Sequence, residues 1–167
     1  MELRIRTWPD KVLRFKCREV KSIDKGIRGL LDDMCVLMRQ QKGVGLAANQ
    51  AGLDLRLVVI EVEGDLFKLV NPRIVKKSGK TAILEGCLSF PGLELKVKRA
   101  KKVWVSYLNE KGEPLHLEVD GVLAIIAQHE IDHLNGISFI DRVPFWERLK
   151  TLPQLRLIKK GNNGMPK

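Results

Sequence analysis

The chain has 167 residues, enough for one domain with a substantial core, and its 44% hydrophobic and 30% charged content excludes a disordered chain. Its longest wholly apolar run, Val122 to Ala127, excludes a helix spanning a bilayer, and a net charge of +10 points to a polyanionic neighbour or a solvated basic surface. The cysteines Cys17, Cys35 and Cys87 are scattered and odd in number, which excludes a disulfide framework and fits a reducing compartment.

The first residues, "MELRIRTWPD", mix charges among apolar residues and carry no signal-peptide core, so a cytoplasmic protein is expected, a processed organellar form being the alternative. Cys17 has no evident partner. In 24–41 the residues Ile27, Leu30, Leu31, Met34, Leu37 and Met38 recur at spacings of three and four, which predicts a long amphipathic helix. Ser22 or Asp24 is its candidate N-cap, Gly43 lies beyond its end, and Cys35 falls on its apolar face. "GVGLAANQAG" follows, read as a loop or a short irregular strand. "LRLVVIEV" (55–62) and "LFKLVNPRIVKK" (66–77) are strand-like, with Pro72 marking a bend or an edge.

"EGCLSFPG" (85–92) predicts a tightly turned, irregular backbone. A β-hairpin is expected across 103–119 with Gly112 in its turn and His116 half-exposed on one strand. A second helix over about 122–134 is stopped by "NG". The last segment is amphipathic, basic and broken by Pro153; from Arg142 onward seven Lys or Arg face the single acid Glu147, a local charge of +6. Residues 161–167 are expected to form a frayed tail. The fold class is α+β: a single domain over 1–167, with mostly antiparallel strands around the helix of 122–134.

Residues 128–136 read "QHEIDHLNG". On a helix, His129 and His133 project one turn apart from the same face and can reach one ion, while Glu130 lies beside it and can exchange a proton with a bound water. Val122, Ile125 and Ile126 continue that face as an apolar wall. A third ligand must come from elsewhere. Cys87 is a stronger candidate than His116, although a cysteine there also reads as a small buried residue.

Three segments in order, "GVGLAANQ" (43–50), "EGCLS" (85–89) and "QHEIDH" (128–133), resemble the peptide deformylases. The resemblance implies that Cys87, His129 and His133 hold one divalent ion, Fe2+ in the cell, with Zn2+, Ni2+ or Co2+ able to replace it. It implies that the substrate is the N-formylmethionine cap of a nascent polypeptide and that the products are formate and a free amino terminus. Glu130 would serve as general base and then acid, and the Gln50 amide and the Leu88 backbone N–H as oxyanion donors. Gly45 would contact the peptide backbone. Val44, Val122, Ile125 and Ile126 would line a pocket for the methionine side chain. Arg99, in "KVKRAKK", reads either as a position near the bound peptide or as part of a solvated charge run. Many members carry proline where this chain has Asn49, which bears on loop rigidity. Two other readings share features with this one: a zinc endopeptidase, and a basic RNA-binding protein with a structural metal site. A ribosome contact through the basic C-terminal segment is expected as an accessory property; no membrane and no DNA partner is expected.

Overall fold

The computed structural model describes residues 3–162. Helix α1, Lys25–Gln40, starts where Asp24 accepts a hydrogen bond from the Ile27 N–H at 2.9 Å, so Asp24 rather than Ser22 is the cap. The apolar stripe turns Leu31, Met34, Leu37 and Met38 inward, with Cys35 among them. The glycine-rich stretch forms a short strand, β1 (Gly45–Ala47), and a single 3-10 turn over Ala48–Ala51.

Strands β2 (Leu57–Val62) and β3 (Asp65–Ser78) follow. Pro72 does not end β3. The register shifts between Val70 and Arg73, so the strand carries the proline in an irregularity of the ladder. Asn71, at φ +53°, both donates to and accepts from the Val20 backbone there, and Arg56 donates to the Pro72 carbonyl at 2.8 Å. Strands β4 (Thr81–Gly86) and β5 (Glu94–Arg99) form a hairpin of their own, where only an irregular turn was expected. Strands β6 (Lys102–Leu108) and β7 (Pro114–Asp120) form the expected hairpin, with His116 exposed on the outermost strand. The main sheet runs β1-β2-β3-β6-β7, antiparallel throughout, and β4-β5 makes a second, two-stranded sheet.

Helix α2, Gly121–Leu134, is buried at every residue from Ala124 onward. It shares one core with α1 and the main sheet, built from residues such as Met34, Leu46, Val59, Val103 and Leu134. A second core joins Phe90, Leu93 and Val97 to Phe139, Ile140 and Val143, and Leu155 and Ile158 complete it. The basic C-terminal segment is therefore packed rather than free: α3 (Phe145–Lys150) and α4 (Leu152–Asn162) lead back onto this core. Pro153 sits in the first turn of α4, where a missing N–H costs no helix bond. Gly161 and Asn162 belong to α4, and the rest of the expected tail lies outside the described residues.

The chain crosses the end of α2 at close quarters. Cys17 N–H donates to the Leu134 carbonyl at 2.9 Å, and Lys16 bridges Asn135. Gly136, at φ +72°, makes the crossing feasible, because a Cβ there would lie 2.4 Å from the Arg14 carbonyl oxygen. Gly64 has a similar φ of +90° with open space around it. Gly64→Ala is expected to cost only the left-handed backbone penalty of about 1 kcal/mol, and Gly136→Ala at least about 2 kcal/mol, in urea unfolding of the two variants. Equal costs would show that the crossing is not the constraint.

Candidate metal centre

Cys87 follows directly on β4, in a turn closed by the Phe90 N–H donating to the Cys87 carbonyl at 2.9 Å. This brings the sulfur to the face of α2 that carries His129 and His133. One donor atom from each of the three residues lies within 4.8 Å of the others. Cys87 Sγ is 3.2 Å from His133 Nε2, and the two imidazole centroids are 5.0 Å apart.

Behind the cluster lies a chain of buried charges. Glu85 accepts from Arg99 through both oxygens, at 2.7 and 2.9 Å, and its Oε2 lies 2.8 Å from His129 Nδ1. Arg99 also donates to Asp132, which in turn accepts from Arg142. Arg99 is only 6% exposed, so it neither lines the peptide cavity nor belongs to a solvated run. The alternation of β5 explains why: Val97 and Arg99 point inward, Lys96 and Lys98 outward. Burial alone would raise the Glu85 carboxyl, but Arg99 and then His129 outweigh it and hold its pKa at about 2. The ionised carboxylate fixes the His129 ring through Nδ1, as carboxylates do for metal-ligating histidines.

Burial, and next the charge of His129, keep His133 well below the ordinary imidazole pKa, in the neutral form a ligand requires. Burial also opposes charge on His129, yet the Cys87 sulfur and the Glu85 carboxylate raise its pKa; the same two groups favour a cation in place of that proton. Glu130 is buried and its Oε2 has no hydrogen-bond partner. Burial pushes its carboxyl up to about 7, and a cation beside it lowers that value. An orphaned carboxylate oxygen next to one thiol and two imidazoles fits a divalent ion. With three protein donors among the described residues, the pattern is that of a catalytic site; structural sites take four.

The cluster opens on a cavity of about 580 Å3, walled by Val44, Val122, Ile125 and Ile126 and reaching Gly45, Gln50, Leu88, Cys87, His129 and Glu130. The sequence-predicted site residues thus meet in one place, Arg99 excepted. Gln50 is buried, and its Oε1 accepts from the Ala47 N–H at 2.8 Å, which turns its amide nitrogen toward Cys87 Sγ (3.4 Å) and Ser89 Oγ (3.3 Å). Asn49, also buried, donates to the His133 carbonyl at 2.5 Å and ties this turn to the metal helix.

Sequence and structure comparisons agree with this geometry. The family model described as polypeptide deformylase matches residues 2–148. The chain belongs to the polypeptide deformylase family. A peptide deformylase of Aquifex aeolicus is 43% identical over 159 residues, covering 92% of this chain and 94% of that protein. Peptide deformylase 2 of Clostridium acetobutylicum is 50% identical over 140 residues, covering 83% and 93%. The crystal structure of a peptide deformylase from Legionella pneumophila superposes with a TM-score of 0.91 at 37% identity, covering 99% of this chain and all of that one. The protein is accordingly a metal-dependent hydrolase that removes the N-formyl group from nascent polypeptides, which sets aside the endopeptidase and structural-metal readings.

Residues missed in the sequence are those behind the ligands: Glu85, Asp132 and Arg142. Removing the guanidinium with Arg99→Ala leaves Glu85 buried without its ion-pair partner. The expected cost is about 3 kcal/mol or more, seen calorimetrically as a fall in Tm of about 10 °C. Close packing also makes Gly45 a positioning residue, since a Cβ there would lie 2.6 Å from Glu130 Oε1 and 2.8 Å from Ile126 Cγ2. Gly45→Ala is expected to displace the carboxylate and lower kcat/KM about 100-fold. Metal content, measured by elemental analysis, is expected to stay unchanged.

Proposed function

We propose that Cys87, His129 and His133 hold the ion, that Glu130 transfers the protons, and that Gln50 and Leu88 bind the developing oxyanion of the formyl group. The observation that carries this reading is the unpartnered Oε2 of buried Glu130, set beside the Cys-His-His cluster at the wall of an apolar cavity. We assign Fe2+ as the ion in the cell, as the family resemblance implies; the thiolate and imidazole donors also accept Zn2+, Ni2+ and Co2+. When bound, the ion supplies Lewis acidity and lowers the pKa of a coordinated water.

Glu130 takes a proton from the attacking water as the new C–O bond forms at the formyl carbon. Negative charge then develops on the formyl oxygen, and the Gln50 Nε2–H and the Leu88 backbone N–H donate to it. Gln50 can serve because its own oxygen is already engaged by Ala47, so the amide cannot flip. As the C–N bond breaks, Glu130 returns the proton to the leaving nitrogen, giving formate and an amine. Val44, Val122, Ile125 and Ile126 receive the methionine side chain, and the flexible thioether suits such an irregular apolar wall. Gly45 offers backbone to the extended peptide because no side chain stands in the way.

The protein acts in the cytoplasm in this reading. Its three cysteines are unpaired, and among the described residues no helix is long and apolar enough to cross a membrane. Contact with the ribosome would involve α3 and α4, where exposed Phe145, Trp146 and Leu157 stand among Arg148, Arg156, Lys159 and Lys160. Because Leu155 and Ile158 belong to the second core, charge substitutions test this better than truncation.

Formate release from a short formyl-methionyl peptide tests the catalytic assignment. Chelation is expected to abolish it, and metal to restore it. Glu130→Gln is expected to lower kcat at least about 1,000-fold while keeping the ion. A Gln variant that turns over within about threefold of the wild type would remove Glu130 from the mechanism.

A further inference from the structure

A second concavity, of about 670 Å3, lies at the open end of the β4–β5 hairpin, by Thr81, Ala82 and Lys98, whereas the substrate cavity lies toward its turn, by Leu84, Gly86 and Cys87. It forms where the chain leaves β3, turns at Gly79–Lys80 into β4, and returns along β5. Lys77, Lys80 and Lys98 line it, together with Arg99, Gln128 and Arg142. Among the described residues, none that is acidic lines this cleft.

The cations are of two kinds. Arg99 and Arg142 are neutralised from behind by Glu85 and Asp132. Lys77, Lys80 and Lys98 have no ion-pair partner among the described residues, whereas Lys68 and Lys102, on neighbouring parts of the main sheet, are paired with acids. Three exposed like charges gathered along one concave surface repel one another and add up to a positive potential outward. A folded protein gains nothing from that arrangement by itself.

We infer that this cleft is a docking surface for the phosphate backbone of RNA, distinct from the C-terminal helices. The chemistry favours a polyanion over a single small anion. The lysines come from three separate stretches of backbone: the end of β3, the following turn and β5. They are hydrated point charges on flexible stems, which follow a run of phosphates without reading bases. Nascent chains emerge from an RNA-rich machine, so RNA is the polyanion at hand. Helix α2 joins the two sites: Gln128 faces the cleft and is held by the Ala100 backbone in both directions at 2.9 Å, while the next residue, His129, faces the metal cluster.

The test measures fluorescence anisotropy of a labelled single-stranded RNA of about 20 nucleotides with metal-loaded protein, from about 50 to 200 mM KCl. A triple variant, Lys77→Ala with Lys80→Ala and Lys98→Ala, is compared with a control that removes the exposed, unpaired Lys21, Lys25 and Lys111 instead. Both lose the same net charge. The cleft variant is expected to bind at least about tenfold more weakly and to lower the salt slope by about two, with the control within about threefold of wild type. Formate release from a short peptide is expected to be unchanged in both. Equal weakening by the two variants would reduce the effect to net charge and overturn the inference, as would binding indifferent to salt.

Discussion

A charge taken out of water must be paired, and in this protein that requirement is concentrated on one helix. Helix α2 buries Gln128, His129, Glu130, Asp132 and His133 in consecutive turns, among apolar neighbours. Gln128, His129 and Asp132 find side-chain or backbone partners in other parts of the chain, while Asn49 reaches the His133 backbone carbonyl. Glu85 and Arg99 come from the two strands of the β4–β5 hairpin, Arg142 from the turn after Phe139, and Asn49 from the glycine-rich segment. The hairpin that supplies Cys87 is thus held against α2 by the same ion pairs that orient His129. An arginine suits the centre of this chain because its planar fork engages Glu85 through two nitrogens and still reaches Asp132 with the third. Lysine has no such fork.

Close approach is the complementary constraint. The segment from Gly43 to Gln50 is built of small residues because it passes directly over Glu130, and a Cβ at Gly45 would collide with the carboxylate. A long-range hydrogen bond ties that segment down. Asn49 is buried and bonds the His133 carbonyl, which the Gly136 N–H also uses at 2.9 Å. The turn bearing Gln50 and the last ligand on α2 are therefore tied together 84 residues apart in sequence.

What could be read beforehand follows the range of each interaction. Helix α1, its Asp24 cap and the β6–β7 hairpin are set by local periodicity and turn chemistry, and they lie where the sequence puts them. The metal ligands are legible because few residue types bind metals and their spacing on α2 is helical. The β4–β5 hairpin is hard to see in the sequence because its strands are six residues each and β5 is charged, while the irregular segment from Gly86 to Gly92 between them carries the conspicuous turn residues. Arg99 was misplaced for a related reason. Counting charges in "KVKRAKK" suggests a solvated run, whereas its period of two puts Arg99 with Val97 on the inner face. Its partners Glu85 and Asp132 are 14 and 33 residues away, a pairing fixed only by the packed fold. The C-terminal segment shows the converse: its basic charge is conspicuous, while the apolar Leu155 and Ile158 that anchor it look like any amphipathic stripe.

The two cores divide the labour between these constraints. The larger one, shared by α1, α2 and the main sheet, fixes the helix that carries both histidines and the buried carboxylate of Glu130. The smaller one gathers Phe90 and Leu93 beside Cys87, Val97 beside Arg99, and Phe139 and Ile140 beside Arg142. It therefore sets the sulfur ligand and the arginines of the buried chain as a unit. Phe139 also lies 5.9 Å from the His129 ring, centroid to centroid. The metal cluster thus sits on the seam of the two cores, and α4 closes the smaller one from outside. A loss of packing at Leu155 or Ile158 would reach the ligand cluster through Phe90 and Phe139, without touching any group that reacts.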